Sequence, residues 1–333
     1  MAERVAITGL GVVSALGLGY EPFAENLAAG VSGLAPWSGS EAEPLLVGEV
    51  EPYDLRDYLV AEKGYLDRTS ELALIAAQLC LRHAGLEALP AARERRGLVV
   101  GTQFGCMATA THYCQRVRKR GPRFATPLVF SQSFLNTPAS LLSIDYDLAG
   151  YHTTLTSGPE SGRQAFELGV LALALGQADA VLAGGVDALS AELIAGYDAP
   201  LATGDDPEAY VPGAAGGTAL GEGAALLLLE REAAATARGA TVWAWLERDD
   251  EPADWQANDN GAPLTAAPWA LYGECAGASG ALAIAALVAS LRACILPPLR
   301  GGAEPLESRW EPQDSTATSA RYESLRVSVD AAG

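Results

Sequence analysis

The chain has 333 residues, 49% hydrophobic but only 7% aromatic, so its interior has to be built from Ala, Leu, Val and Gly in close contact rather than from large rings. That length fits two domains or one large α/β unit. With 22 basic against 41 acidic residues the net charge is −19, a field that repels phosphates and anionic lipid and excludes a general nucleic-acid binder.

In chain order, the N-terminal run reads as a first strand at Val5–Ile7 and not as a signal peptide, since its apolar stretch is short and broken by Gly9 and Gly11. Gly9-Leu10-Gly11-Val12-Val13-Ser14 has the look of a dinucleotide loop. Ser14 stands in the third glycine's place, however, and Gly17, Gly19 and Pro22 follow instead of a continuous helix, which argues against a nucleotide. Helical period places a helix over Leu66–Gly85, with Leu72, Ile75, Leu79 and Leu81 near one face. Strands are expected at Gly97–Val100, Thr153–Thr156, Ala180–Ala183 and Ala224–Leu229, as apolar runs of the kind covered on both faces. Between them Glu160–Gly176 is apolar on almost every side, which predicts a helix buried in the middle of a layered fold.

Farther on, Arg248–Pro268 is polar, without period, and reads as a surface loop. Ala276–Leu299 contains Arg292 and ends in Pro297-Pro298, so a buried helix is expected there rather than a membrane span. The last residues read as loop until a strand at Ser324–Asp330. No repeat divides the chain into independent domains. The five cysteines, Cys80, Cys106, Cys114, Cys275 and Cys294, form no CxxC pair and read as reduced, buried thiols of a cytoplasmic protein. No metal site and no cofactor are expected.

The segment Gly158-Pro159-Glu160-Ser161-Gly162 follows a strand and opens a helix, the place where α/β enzymes put a nucleophile. Here it carries proline at the first helical position, where a missing N–H costs nothing, and Glu160 complements the helix dipole. As local chemistry this is a good helix start and a poor nucleophile.

Several runs together resemble the ketosynthases of the thiolase superfamily: VAITGLGVVSALG, LDRTSELALIAAQLCLRHAGL, RGLVVGTQFG, IDYDLAGYHTTLTSGPESG, GQADAVLAGGVDAL and GTALGEGAALLLLE, followed by GECAGASGALAIAALVASLRACILPP. The resemblance implies an α/β, thiolase-like, layered α-β-α-β-α fold with two mixed sheets. It is taken as one unit over residues 1–333, with a ketosynthase-like half at 1–240 and a shortened C-terminal half at 241–333. It also implies where catalysis should sit. The family's active-site cysteine, in a Thr-Ala-Cys stretch before the Ala183-Gly184-Gly185 turn, falls on Pro159. One catalytic histidine falls on Glu274 and the lysine five residues earlier on Trp269. The three histidines, His83, His112 and His152, all precede Pro159. A thiolate must hold the acyl chain and imidazole donors must stabilise the enolate, so condensation by this chain alone is not expected. The gating loop of the family matches Val329–Gly333 without either phenylalanine, and the chain stops before the family's closing strand.

Among ketosynthases the chain resembles most the chain length factor, the β subunit of type II polyketide synthases, in which an inactive copy pairs with a catalytic ketosynthase α subunit. That resemblance implies a heterodimer, a transient acyl carrier protein, no nucleic acid and no membrane. Pro159 departs from the Gln that many such subunits carry, and the short second half is more like the partners of ketosynthases making reduced or polyene chains. Tunnel-wall candidates are Phe104, Cys106, Met107, Thr111, Phe130 and Phe134, with Cys106 and Met107 read as a soft apolar wall suited to an alkyl or polyene chain. Interface candidates are Leu141, Ile144, Tyr146, His152 and Thr154. The basic run Arg116, Arg118, Lys119 and Arg120 is the candidate carrier-protein dock on an otherwise acidic body. Two other readings stay open: a scaffold without influence on product length, and a serine acyltransferase or hydrolase using Ser157 or Ser161.

Overall fold

The computed structural model describes residues 4–37, 44–204, 217–248, 268–293, 317–322 and 325–330. Its strands are β1 (Val5–Ser14), β2 (Gly17–Leu18), β3 (Ala35–Pro36), β4 (Leu46–Gly48), β5 (Arg96–Gly101) and β6 (His152–Leu155). They continue with β7 (Ala180–Asp187), β8 (Leu220–Gly221), β9 (Gly223–Arg231), β10 (Ala244–Arg248), β11 (Ala317–Tyr322) and β12 (Leu325–Asp330). Nine strands form one mixed sheet in the order β11-β12-β10-β1-β9-β7-β5-β6, with β2 folded back on β1, and β3-β4-β8 form a second, smaller mixed sheet. The two mixed sheets of the expected thiolase-like fold are therefore present, and unequal.

Helices α1 (Tyr20–Ala29), α2 (Arg68–His83), α3 (Met107–Arg120), α4 (Pro127–Ser131) and α5 (Thr137–Asp145) precede the turn after β6. After it come α6 (Ser161–Ala174), α7 (Ala191–Gly196), α8 (Glu232–Ala237), α9 (Trp269–Tyr272) and α10 (Ser279–Ala293). Every residue of β7 is buried because helices cover both faces of the large sheet. Successive side chains alternate between two cores. Leu98, Val100, Leu182, Leu226 and Leu228 pack with α2, whereas Val99, Val181, Ala183, Leu227 and Leu229 pack with α6 and α10.

The helix expected at 66–85 is α2, started by Asp67, whose carboxylate accepts from the Thr69 amide at 2.9 Å. It lies so close to β1 that a Cβ on Gly11 would sit 1.8 Å from the Ala76 carbonyl oxygen. The glycines that resemble a dinucleotide loop thus serve helix-on-strand contact. α6 departs from its expected burial on every side. It sets Ala165, Phe166, Gly169, Ala172 and Leu173 inward, but Leu171 and Leu175 are exposed, because among the described residues the sheet and α10 cover only part of its circumference. α10 belongs to the one described helical stretch long and apolar enough to cross a membrane, and it is buried in the core, as expected from the sequence.

Most of the expected loop at 248–268, residues 294–316 with Cys294 and Pro297-Pro298, and residues 331–333 lie outside the described residues. The last predicted strand is β12, where Val329 is buried and the Asp330 carboxylate accepts from Trp245 Nε1 at 3.0 Å. β5, β6 and β7 run parallel, so the segments that follow them leave from the same end of the sheet. In open α/β sheets that end is where sites form.

His83 sits where α1, α2, β1 and the segment before β10 meet. Its Nδ1 accepts from the Leu10 amide at 3.2 Å, its ring lies 5.0 Å from Tyr20 and 4.3 Å from Trp243, and Nε2 faces Glu21 Oε1 at 3.5 Å. The Arg292 guanidinium stacks over Trp243 at 5.2 Å. Burial lowers the His83 pKa, with Glu21 opposing it. Protonation would also turn Nδ1 from acceptor to donor against the Leu10 N–H. A folded-state pKa below the unfolded value means that His83's contribution is complete above about pH 6.5 and is lost as the pH falls below it. Urea midpoints measured from pH 7.5 to 5 should therefore fall for the wild type and fall less steeply for His83→Gln.

Candidate functional site

Three turns meet at the C-terminal end of the parallel strands. After β6 the chain turns at Gly158, with φ of 79°, then passes Pro159 and Glu160 into α6. Pro159, which the resemblance sets at the nucleophile position, is exposed at the turn's tip. Ser161 Oγ accepts from the Ser157 amide at 2.8 Å and donates to the Gly158 carbonyl at 2.6 Å, fully buried, so this hydroxyl locks the turn and is not presented to a substrate. Arg163 joins Glu160 at 2.6 Å and Glu167 at 2.7 Å, fixing the first turns of α6. Ser157 is exposed, but no described histidine stands near to activate it. His83 is in the core, His112 is exposed on α3, and His152 Nε2 lies 3.4 Å from the Ala139 carbonyl oxygen.

The second turn follows β5 and the third precedes α10; one carboxylate holds both. Asp187, at the end of β7 and 1% exposed, accepts from Thr102 Oγ1 at 2.7 Å and from the amides of Gln103 at 2.7 Å, Phe104 at 3.0 Å, Gly105 at 3.2 Å and Gly277 at 2.8 Å. Burial pushes its pKa up to about 6, and these donors restrain the rise. The backbone around it is packed to contact. A Cβ on Gly277 would stand 2.5 Å from the Gln103 nitrogen and 2.6 Å from Asp187 Oδ2.

Glu274, which the resemblance sets at a histidine position, is half-buried. Its Oε2 accepts from the Tyr197 hydroxyl at 3.0 Å, and its backbone bridges Leu220. Next to it Cys275 is fully buried. Desolvation, reinforced by the charges of Glu222, Glu274 and Asp187, pushes its thiol well above the ordinary value, so it stays protonated and unreactive. Trp269, at the lysine position, is partly exposed at the start of α9. The turns that carry Pro159 and follow Glu274 thus pack together.

The tunnel candidates divide. Phe130 and Phe134 are exposed and meet edge-to-face at 4.9 Å, with Tyr113 at 5.3 Å from Phe130. Phe104, Met107 and Thr111 are half-buried on and before α3. Cys106 is in the core behind them, its thiol pushed up to about 12 mainly by burial, and does not form an open wall with Met107. An open depression of about 440 Å³ lies instead among Ser133, Phe134, Leu135, Asn136, Thr154 and Thr156. The sequence reading singled out Phe134 as a wall residue and Thr154 as an interface residue, but not that the stretch 133–136 meets Thr154 and Thr156, which only the fold brings together.

Among the interface candidates Ile144 is 73% exposed, His152 is exposed, and Leu141 and Thr154 are half-buried. His152 and Thr154 lie on β6, which among the described residues is an edge strand paired with β5. Tyr146 has to be removed from that group: it is 5% exposed and turns inward, its hydroxyl donating to Gln78 Oε1 at 3.3 Å. Arg118, Lys119 and Arg120 are exposed in the last turn of α3, where they complement the helix dipole, and Arg116 Nε donates to the Phe124 carbonyl at 3.1 Å. Asp187 was not singled out from the sequence, although an acid at the end of an apolar strand after two glycines is the kind of signal that marks a buried anchor.

These features define a ketosynthase framework, and the beta-ketoacyl synthase N-terminal domain family matches residues 2–235. The chain belongs to that family. It is 30% identical over 256 residues to the 3-oxoacyl-acyl-carrier-protein synthase 2 of Staphylococcus aureus (strain COL), covering 73% of this chain and 61% of that enzyme's length. Among solved structures it superposes on the ishigamide ketosynthase/chain length factor with a TM-score of 0.78, 19% identity and full coverage of both chains. A type II polyketide synthase acyl-carrier protein in complex with its ketosynthase bound to the hexaketide, AntDE:AntF, gives a TM-score of 0.76 at 20% identity, again over both whole chains.

Asp187→Asn should lower stability by about 3 kcal/mol, since an amide presents N–H groups where backbone donors require an acceptor. A urea titration would show this as a lower midpoint at unchanged slope.

Proposed function

We propose that this chain is the non-catalytic, chain-length-setting subunit of a heterodimeric ketosynthase that extends polyketide chains by decarboxylative Claisen condensation. The observation that carries the reading is Pro159 exposed at the tip of an otherwise intact nucleophile turn, with Glu274 where a histidine is expected. The framework is kept while the groups that would react are replaced. In this reading a catalytic ketosynthase α subunit supplies the cysteine and histidines and an acidic acyl carrier protein visits transiently, drawn to the basic end of α3. The chain acts as a single unit. The likeness to the ishigamide and AntDE:AntF assemblies supports the fold this role needs.

The edge strand β6, with Ile144 and His152 exposed beside it, offers unpaired backbone for a partner strand. The exposed pair Phe130 and Phe134 next to that edge is the proposed wall of the tunnel. Co-expression with a chain carrying the Thr-Ala-Cys motif and both histidines should give a stable one-to-one complex. In that complex Phe134→Ala should leave assembly intact and shift products to longer chains by mass spectrometry. Unchanged product length would favour the scaffold reading, and a stable homodimer that ignores the partner would contradict the heterodimer.

A further inference from the structure

Helix α7 is six residues long, too short to keep its shape by itself in water, so its place depends on what holds its ends. At its start the Ser190 hydroxyl accepts from the Leu193 amide at 3.1 Å, and the Leu189 amide donates to Glu222 Oε2 at 3.3 Å. Just past its end the Tyr197 hydroxyl donates to Glu274 Oε2 at 3.0 Å. Glu274 is a fixed point, because its amide donates to the Ala219 carbonyl and its carbonyl accepts from the Gly221 amide, each at 2.8 Å. Leu193 is the single buried residue of α7, so the helix draws little on apolar contact and much on its anchored ends. α7 packs against α3, which carries Met107 and Thr111 and whose Tyr113 ring lies 5.3 Å from Phe130. Phe130 in turn meets Phe134. One run of contacts therefore joins Glu274, Tyr197, α7 and α3 to the aromatic pair at the proposed wall.

We infer that Glu274 is a positioning residue for product length: its carboxylate, acting through the Tyr197 hydroxyl, holds α7 against α3 and limits how far Phe130 and Phe134 can retreat before a growing chain. The inference rests on the proposed function, which supplies the wall. What the latch needs from position 274 is an acceptor oxygen at the reach of a glutamate, and the charge is not essential. Glutamine offers a carbonyl oxygen at the same reach, and alanine offers none. Neither Glu274 nor Tyr197 has to touch the chain for the effect to appear.

The test uses the co-expressed heterodimer supplied with malonyl-loaded acyl carrier protein, with product length read by mass spectrometry. Tyr197→Phe and Glu274→Ala should each raise the ratio of longer chains to the main product roughly fivefold, the weight of one net hydrogen bond. The double variant should do no more than either change alone, and Glu274→Gln should keep the wild-type products. Amide hydrogen exchange on the same complexes should show residues 191–197 losing protection in Tyr197→Phe and Glu274→Ala but not in Glu274→Gln. Tyr197→Phe removes a single oxygen and decides the matter where Glu274→Ala does not assemble. Unchanged or shorter products with Tyr197→Phe would overturn the inference while leaving the heterodimer standing. Lost protection at 191–197 without a change of product would do the same, since the latch would then serve only the fold. Additive effects in the double variant would also overturn it, because the two residues would then act separately. If Phe134→Ala leaves product length unchanged, the wall fails and the inference falls with it. Absence of any heterodimer would overturn the inference together with the proposed function.

Discussion

One buried carboxylate holds the site together. Asp187 accepts from five donors on two segments distant in sequence, 102–105 and Gly277, four of them backbone amides that can only donate. Its pKa, pushed to about 6 by burial, still lies below neutral pH, so the ionised form that the donors require is the dominant one. Charge-assisted bonds of this kind are short and strong, and they offset the cost of taking the carboxylate out of water. With those segments fixed, the glycine-lined backbones of the Gly158–Glu160 and Ala276–Ala278 turns can press against each other.

The same constraint explains how the framework can stand without depending on the residues at its turn tips. Nothing that Asp187 bonds to depends on a cysteine or histidine, since four of its partners are backbone amides. Proline at the tip of the nucleophile turn satisfies the helix start, and Ser161 closes the turn through its own hydroxyl. Glu274 keeps its backbone bridge to Leu220 and gives its side chain to Tyr197. Pro159, Ser161 and Glu274 are each satisfied by local contacts of the fold.

Much of this was legible in the sequence because it follows from local pattern. The apolar runs of β5, β7 and β9, the period of α2 and the proline helix start of α6 each report their own environment. Features made by the meeting of distant segments were not. The depression is built from Ser133–Asn136, from Thr154 on β6 and from Thr156 just after it, and neither stretch alone indicates a cavity. Tyr146, next to exposed Ile144, turns inward because helical geometry separates neighbours that the linear sequence places together. Leu171 and Leu175 show the opposite failure: an all-round apolar helix predicts complete cover, but the described sheet reaches only part of it.

The central proposal is that the turn carrying Pro159 does not take up an acyl group. The most direct measurement is intact-mass spectrometry of the purified chain after incubation with acyl thioesters, followed by peptide mapping. The account predicts no covalent adduct, because Pro159 has no nucleophile, Ser161 is consumed in the turn and the Cys275 thiol stays protonated. Stoichiometric acylation at Ser157, Ser161 or Cys275 would contradict it.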